Sequence, residues 1–368
     1  MQIAFDGSRL AVGQRTGTES YTTELVRALA QHDRRNSYTL YVNQIPAALP
    51  PLGTNWRVRA VPSPRMWTHT RLGPTLLAAQ PDVAFIPAHV LPLTPPRRSV
   101  VTIHDLGYEY YPEAHTRAQR LYLRLSTRWS ARHASHIIAI SEATKRDLTR
   151  FTGIHADKIT VVYHGVHPRF QPIDAAESAT VAAKYGLMSE YLLFISTIQP
   201  RKNLVRLIDA YAWAIRSYPD LPPLALAGKQ GWLATQIERR AAEMGIAKRV
   251  RFLGYVDDAD LPALYSGATM YLLPSLYEGF GMTILEAMAC GTPVITSNVS
   301  SLPEVAGAAA ILLDPTDTAL LAQAIGGLWE DDARRADLRE RGLRWATGWT
   351  WQRCAAQTLA VLEKIGAQ

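Results

Sequence analysis

Two stretches of the chain carry residues able to hold a diphosphate between sugars. In Pro274-Ser275-Leu276-Tyr277-Glu278-Gly279-Phe280-Gly281-Met282-Thr283-Ile284-Leu285-Glu286, continuing to Cys290-Gly291-Thr292-Pro293, an apolar strand ends at Pro274 and a loop with two glycines follows. A helix then starts near Met282 and stops at Gly291. The glycines let backbone approach a ligand closely, and N–H groups at Gly281, Met282 and Thr283, helped by the helix dipole, make an anion site. Glu278 in the loop and Glu286 about one turn into the helix are suited to accept from sugar hydroxyls and ill suited to touch phosphate. One carboxylate on each side of a diphosphate suggests a ligand with sugars at both ends. An early helical acid also favours the helix dipole by itself, which accounts for Glu286 better than for Glu278. The second stretch, Ile195-Ser196-Thr197-Ile198-Gln199-Pro200-Arg201-Lys202-Asn203, leaves a strand and enters a helix. Arg201 and Lys202 fall in the turn at the strand's carboxyl end, where both can point toward a diphosphate. An isolated Arg-Lys pair is usually solvated surface; the carboxyl edge of a parallel sheet is where ligands bind.

Metal readings are weak. Asp257-Asp258-Ala259-Asp260 contains an Asp-x-Asp but precedes a helix and reads as an N-cap cluster. His133 and His136 have no third ligand nearby. Cys290 and Cys354 are the two cysteines, so neither a disulfide framework nor a four-cysteine zinc site can form, and a reducing compartment is expected. No metal or cofactor is expected.

These residues need strands that end at the right places. Ile3 to Asp6, Tyr38 to Val42, Arg57 to Val61, Val83 to Pro87, Ser99 to His104, His136 to Ser141 and Ile159 to His164 read as strands, several near-continuous in Val, Ile and Leu, as in strands buried on both faces. Thr18 to Gln31 and Glu113 to Arg132 show helical spacing, and Ser141 reads as an N-cap for a helix through Phe151. After a pause at residues 168–174 the alternation restarts. Tyr191 to Ser196, Pro223 to Gly228, Arg249 to Tyr255, Thr269 to Pro274, Pro293 to Ser297 and Ala310 to Asp314 read as strands. Leu204 to Ser217, Trp232 to Met244, Asp260 to Ser266, Thr283 to Cys290 and Thr318 to Trp329 read as helices. The expected architecture is α/β: two doubly wound parallel-sheet domains, residues 1–168 and 169–348, facing a cleft, with a helix in 349–368 returning to the first.

With 368 residues, 48% hydrophobic and 19% charged, the chain has the composition of a globular protein rather than a disordered or fibrous one. No run of about 18 apolar residues occurs and the start lacks a basic leader region, so neither export nor membrane spanning is expected. The net charge of +7 is uneven. Residues 1–168 hold 20 basic against 11 acidic side chains, and the remainder 19 against 21. Arg117, Arg120, Arg124, Arg128 and Arg132 would lie along one helix face, suited to an anionic membrane surface or a phosphorylated acceptor, or else simply solvated. No nucleic-acid-binding signature accompanies them.

Glu278 and Glu286, set within Pro-Ser-x-x-Glu-Gly-Phe-Gly and Glu-Ala-Met-Ala-Cys-Gly-Thr-Pro-Val, resemble the Glu-x7-Glu signature of family-four retaining glycosyltransferases with the GT-B fold, two Rossmann-like domains. The resemblance covers nearly the whole chain. Thr16-Gly17-Thr18-Glu19-Ser20-Tyr21-Thr22 is similar to the family's N-terminal glycine loop, His104-Asp105-Leu106 to its His-Asp motif, Ile138-Ala139-Ile140-Ser141-Glu142 to its serine turn and Pro200-Arg201-Lys202-Asn203 to its basic turn. The resemblance implies that Arg201 and Lys202 neutralise the donor diphosphate in place of a metal. It further implies that Glu278 binds the donor sugar, Glu286 the ribose, and Gly254-Tyr255-Val256 the base, with His104 near the reacting sugar. The implied catalytic set is His104, Glu278, Arg201 and Lys202. The implied donor-binding set is Gly17, Ser196, Arg201, Lys202, Tyr255, Val256, Glu278, Phe280, Gly281, Met282, Thr283 and Glu286.

The expected function is hexosyl transfer from a nucleotide sugar to a saccharide or lipid-linked saccharide in cell-surface polysaccharide synthesis, in the cytoplasm or at the inner face of the plasma membrane. The likeness to bacterial mannosyltransferases makes GDP-mannose the first donor and UDP-glucose the second. Arg65-Met66-Trp67-Thr68-His69-Thr70-Arg71 is either an acceptor entrance or surface loop. A dehydrogenase fails because Gly279-Phe280-Gly281 lacks the third glycine of a dinucleotide fingerprint. A nucleotide-sugar epimerase would share the fold and the diphosphate site, so it stays open. A non-catalytic sugar-binding subunit is less favoured, since Glu278, Arg201, Lys202 and His104 are all intact.

Overall fold

The computed structural model describes residues 1–11, 17–63, 66–188, 190–228 and 234–368. The chain divides into two units, Met1–Gly165 with Thr350–Gln368, and Val166–Trp349. The first division falls after Gly165, and Val166 N–H donates to Trp349 O at 2.9 Å, so the outgoing and returning segments are tied by backbone.

Unit 1 is built on seven parallel strands: β1 (Gln2–Asp6), β2 (Ser37–Val42), β3 (Trp56–Ala60), β4 (Val83–Ile86), β5 (Ser99–Ile103), β6 (His136–Ala139) and β7 (Ile159–Val161). Their order is β3-β2-β1-β4-β5-β6-β7. Every residue of β4, β5 and β6 is buried, as expected of parallel strands covered on both faces. The edge strand β3 instead exposes Arg57 and Arg59, charges that discourage a further strand from pairing there. The helices are α1 (Gly17–His32), α2 (Gly73–Ala79), the short α3 (Gly107–Tyr110), α4 (Arg117–His133) and α5 (Glu142–Thr152). Ser141 caps α5 by accepting from Thr144 N–H, and the helix ends at left-handed Gly153.

In unit 2 the strands are β8 (Leu192–Ile195), β9 (Leu224–Ala227), β10 (Val250–Gly254), β11 (Met270–Leu273), β12 (Val294–Ser297) and β13 (Ile311–Leu313). All pairings are parallel, in the order β10-β9-β8-β11-β12-β13. Its helices are α6 (Ala175–Lys184), α7 (Leu204–Ser217), α8 (Ala234–Glu243), α9 (Leu261–Gly267), α10 (Met282–Ala289), α11 (Leu302–Ala306), α12 (Thr318–Glu330) and α13 (Asp332–Ala346). A last helix, α14 (Trp351–Gly366), belongs to unit 1. It packs against α1 and buries Trp351, Leu359, Leu362 and Ile365.

Several expectations need correction. Glu113–Arg132 is not one helix: Pro112–Ala114 forms a single 3-10 turn, and α4 starts afresh behind Thr116, whose capping box with Gln119 fixes that start. Gly17–Thr22 is the first part of α1 rather than a loop, with Glu19 buried and paired to Arg9. Asp260 does not cap α9. It and Asp257 instead pair with Lys184 of α6 at 2.6 and 3.3 Å, and Tyr185 donates to Asp260. Trp67 is no surface residue either; it is buried and donates from Nε1 to Val61 O, while Thr68–Leu72 forms a helical turn leading into α2. Thr16, Arg65 and Trp232 lie outside the described residues.

Candidate active site

Strand order reverses direction in unit 2 between β8 and β11, the place where a doubly wound sheet opens a crevice at its carboxyl ends. The basic turn leaves β8 and the glycine loop leaves β11, so topology brings together residues about 75 positions apart. Arg201 Nη1 lies 2.7 Å from Glu278 Oε2, and Lys202 Nζ lies 2.5 Å from Glu278 Oε1. Ser275 Oγ donates to the same Oε1 at 2.7 Å. Burial alone would raise the Glu278 pKa, but the neighbouring Lys202 and Arg201 charges outweigh it and bring it down to about 2.

Backbone stitching fixes this arrangement. Leu276 N–H donates to Arg201 O at 2.8 Å, and Arg201 Nη1 also donates to Tyr277 O. Asn203, in the left-handed region at φ 61°, donates from Nδ2 to Pro274 O and Pro315 O. On the far side of the loop, Glu278 N–H donates to Ser300 Oγ, and Ser301 Oγ donates to the carbonyls of Glu278 and Phe280. Gly281, at φ 99°, then turns the chain into α10; a Cβ there would lie 2.9 Å from Leu302 Cδ2. Phe280 turns its ring onto Trp349, with the ring centroids 5.7 Å apart.

Glu286 is half-buried one turn into α10 and accepts from Tyr265 OH at 3.2 Å. Burial raises its pKa to about 7 against the opposing charge of Arg169 and the Tyr265 hydrogen bond. Two carboxylates eight residues apart therefore differ in charge state near neutrality. Ser196 stands at the end of β8 so close to Gly228 that a Cβ at 228 would fall 2.0 Å from Ser196 O. Tyr255 is exposed and Val256 buried at the end of β10, at the same carboxyl edge.

His104 stands at the end of β5 in unit 1. Its Nε2 lies 2.7 Å from Pro87 O, which can only accept, so Nε2 carries the proton and Nδ1 is the acceptor nitrogen. The His104 N–H donates to His89 Nε2, whose ring stacks on the His104 ring. Thr144, in the first turn of α5 beside the serine turn, donates to His104 O. Burial, then the nearby His89, lowers the His104 pKa to about 3, so the ring is neutral.

Residues 15–170 match the family Glycosyltransferase Family 4, and residues 182–345 match Glycosyl transferases group 1. The O-antigen chain mannosyltransferase B of Escherichia coli is 37% identical over 266 residues, which span 71% of this chain and 69% of that protein. The chain is a family-four glycosyltransferase. The serotype-specific mannosyltransferase WbdA of Escherichia coli is 32% identical over 226 residues, 60% of this chain but only 28% of WbdA. Among solved structures, a sucrose-phosphate synthase from Thermosynechococcus elongatus aligns with TM-score 0.78 at 21% identity, covering 100% of this chain and 99% of its own. Anabaena HepE in complex with UDP-glucose aligns with TM-score 0.77 at 19% identity, covering 99% and 100%. These likenesses establish the GT-B fold.

In the glycosyltransferase the arginine face of α4 is only partly free. Arg124 makes a forked ion pair with Glu109 at 2.6 to 3.0 Å and Arg120 is half-buried. Arg117, Arg128 and Arg132 remain exposed beside Leu121, Tyr122 and Leu125, which are 57, 50 and 58% exposed. Gly17 is exposed at the start of α1, and a Cβ there would meet nothing within 4 Å. Sequence reasoning missed much of the support of the enzyme's loop: Ser300 and Ser301 carried no signal, while Ser275 was visible only as part of the Pro-Ser-x-x-Glu motif and Asn203 only as the end of the basic turn. Among the described residues no three His, Cys, Asp or Glu side chains are grouped as metal ligands.

Proposed function

We propose that this glycosyltransferase moves mannose from GDP-mannose to a saccharide acceptor carried on lipid, with retention of configuration and without a metal, in making a cell-surface polysaccharide. The observation that carries the reading is the pair of cations, Arg201 and Lys202, gathered with Glu278 at the switch point of unit 2. Mannose and O-antigen-type polysaccharide are supported by the relatives that bear those names.

The donor diphosphate lies against Arg201 and Lys202 and the first turn of α10, with Glu278 accepting from mannose hydroxyls and Glu286 from the ribose. Tyr255 and Val256 meet the base. As the bond from the anomeric carbon to the phosphate oxygen breaks, charge grows on the diphosphate, and the fixed cations stabilise it as a metal would. The acceptor oxygen bonds to the same face of the carbon while its proton passes to the departing phosphate oxygen. Glu278 is ion-paired to Arg201 and Lys202, which makes it a poor nucleophile and favours this front-face route over a covalent intermediate on Glu278. His104, being neutral, accepts a hydroxyl hydrogen bond at Nδ1 and supplies no charge.

The mixed basic and apolar face of α4 suits the cytoplasmic surface of an anionic membrane, where each exposed arginine contributes about 1 kcal/mol. Cosedimentation with phosphatidylglycerol vesicles should exceed that with phosphatidylcholine vesicles and fall in Arg128→Glu. Equal binding to both removes the membrane part of the reading.

The deciding experiment is thermal stabilisation by nucleotides and nucleotide sugars with EDTA present, followed by NMR of the product anomer. GDP and GDP-mannose at a hundredfold excess over Kd should stabilise by about 2.7 kcal/mol, and Arg201→Ala should remove the shift. Stabilisation by UDP compounds alone would keep the transfer and change the sugar. No response to any nucleotide sugar would sink the reading.

A further inference from the structure

Arg201 and Lys202 offer two positive charges, and in this structure one carboxylate engages both. Glu278 Oε2 accepts from Arg201 at 2.7 Å and Oε1 from Lys202 at 2.5 Å, while Ser275 holds Oε1 from a third direction. Glu278 and Lys202 are both buried, so the charges meet with little water between them. The Glu278 backbone is pinned through Ser300 and Ser301, which limits how far the side chain can retreat.

A diphosphate drawn to those cations therefore meets an ionised carboxylate already paired with both of them. Protonation cannot relieve the conflict near neutral pH, because Lys202 and Arg201 hold Glu278 ionised. Hydroxyl groups can. A carboxylate has about four acceptor positions, and a hexose attached to the diphosphate brings O–H donors that replace whatever share of the cations the phosphates take. A bare nucleoside diphosphate brings no such donors.

We propose that Glu278 is the residue by which the site discriminates intact nucleotide sugar from spent nucleoside diphosphate: its charge opposes the diphosphate, and only the hydroxyls of an attached sugar offset that opposition. Loss of the sugar to the acceptor thus restores the repulsion and promotes product release. The inference rests on the donor reading above and adds to it a role for Glu278 after transfer as well as before.

The test is calorimetric titration of wild type, Glu278→Gln and Glu278→Ala with inorganic pyrophosphate, GDP, UDP, GDP-mannose and UDP-glucose, with near-UV circular dichroism to verify folding. Both variants should bind pyrophosphate and the preferred nucleoside diphosphate at least tenfold tighter than wild type. Wild type should bind the intact sugar nucleotide tighter than the matching diphosphate, and the variants should lose or invert that order. Glu278→Asp, which keeps the charge, should show no gain for pyrophosphate. Unchanged or weaker pyrophosphate and diphosphate binding in folded variants overturns the proposal, as does a wild type that binds diphosphate as tightly as sugar nucleotide. The latter comparison decides even if neither variant folds. If wild type binds nucleotides and the variants gain nothing, the donor reading stands and this inference falls. If no nucleotide binds but the variants gain pyrophosphate, the charge opposition stands and the transferase donor reading falls. No binding of any probe to wild type or folded variants overturns both.

Discussion

Glu278 and Glu286 share a side chain and differ in everything around it. Glu278 faces two cations and is held near pKa 2; Glu286 is shielded from water near Tyr265 and is raised to about 7. The consequences for pH have opposite signs. Glu286 takes up a proton on folding between its ordinary value of 4.5 and about 7, so the stability it contributes is present below that window and lost as pH rises through it. Urea unfolding should show wild type losing about 1 to 2 kcal/mol between pH 5 and 8 relative to Glu286→Gln, once partial exposure is allowed for. Glu278 contributes stability that is full above 4.5 and lost as pH falls toward 2. Nucleotide affinity should rise with pH through 7, since a carboxylate accepts ribose hydroxyls better than a carboxylic acid, and that rise should vanish in Glu286→Gln. His104, neutral above about 3, should add no inflection to the rate profile between pH 5 and 8; His104→Ala should lower turnover without weakening nucleotide binding. The charged residues were legible because charge beside glycine at the end of an apolar strand has few structural uses. Ser300 and Ser301 were not, because a serine's partner more than 20 positions away leaves no trace in local spacing.

At the scale of elements, the site depends on two loops being joined. Asn203→Ala leaves the carbonyls of Pro274 and Pro315 without its amide and should cost about 2 to 3 kcal/mol, measured by urea unfolding, with a weakened response to nucleotide. Gly281→Ala must place a side chain at φ 99° against Leu302, and should cost about 1 to 2 kcal/mol while raising KM for the donor more than it lowers kcat. The thirteen strands among the described residues were readable to within a few residues, since most are short apolar runs buried on both faces, a pattern that few other structures produce. Helices such as α6 and α13 were not. α13 buries only Leu338, Gly342 and Ala346 on a heavily charged surface, so no apolar stripe announces it. α6 is rich in alanine and buries only Ser178 and Ala182, and its boundary rests on Asp174 accepting from Ala176 and Glu177, a local bond easily read as linker.

For the whole molecule, the unequal continuity of the two units matters most. Unit 2 is one unbroken segment, whereas unit 1 is completed by α14. A chain stopped at Trp349 would uncover the face of α1 against which α14 packs and would lose the buried Leu359 and Leu362, each contributing about 2 kcal/mol of burial. Hydrogen exchange should then show the amides of β4 and β5 losing protection, while those of β8 and β11 keep theirs. Gly165 marks the same dependence on a finer scale, because a Cβ there would strike the backbone at Thr350 and Trp351.

The placement of α14 also sets a timetable for the ribosome. Residues 1–165 are made before unit 2, yet their apolar flank must wait exposed through the synthesis of all of unit 2, which can mature in the interval. During that wait the nascent first unit is a natural client for chaperones that bind apolar surface.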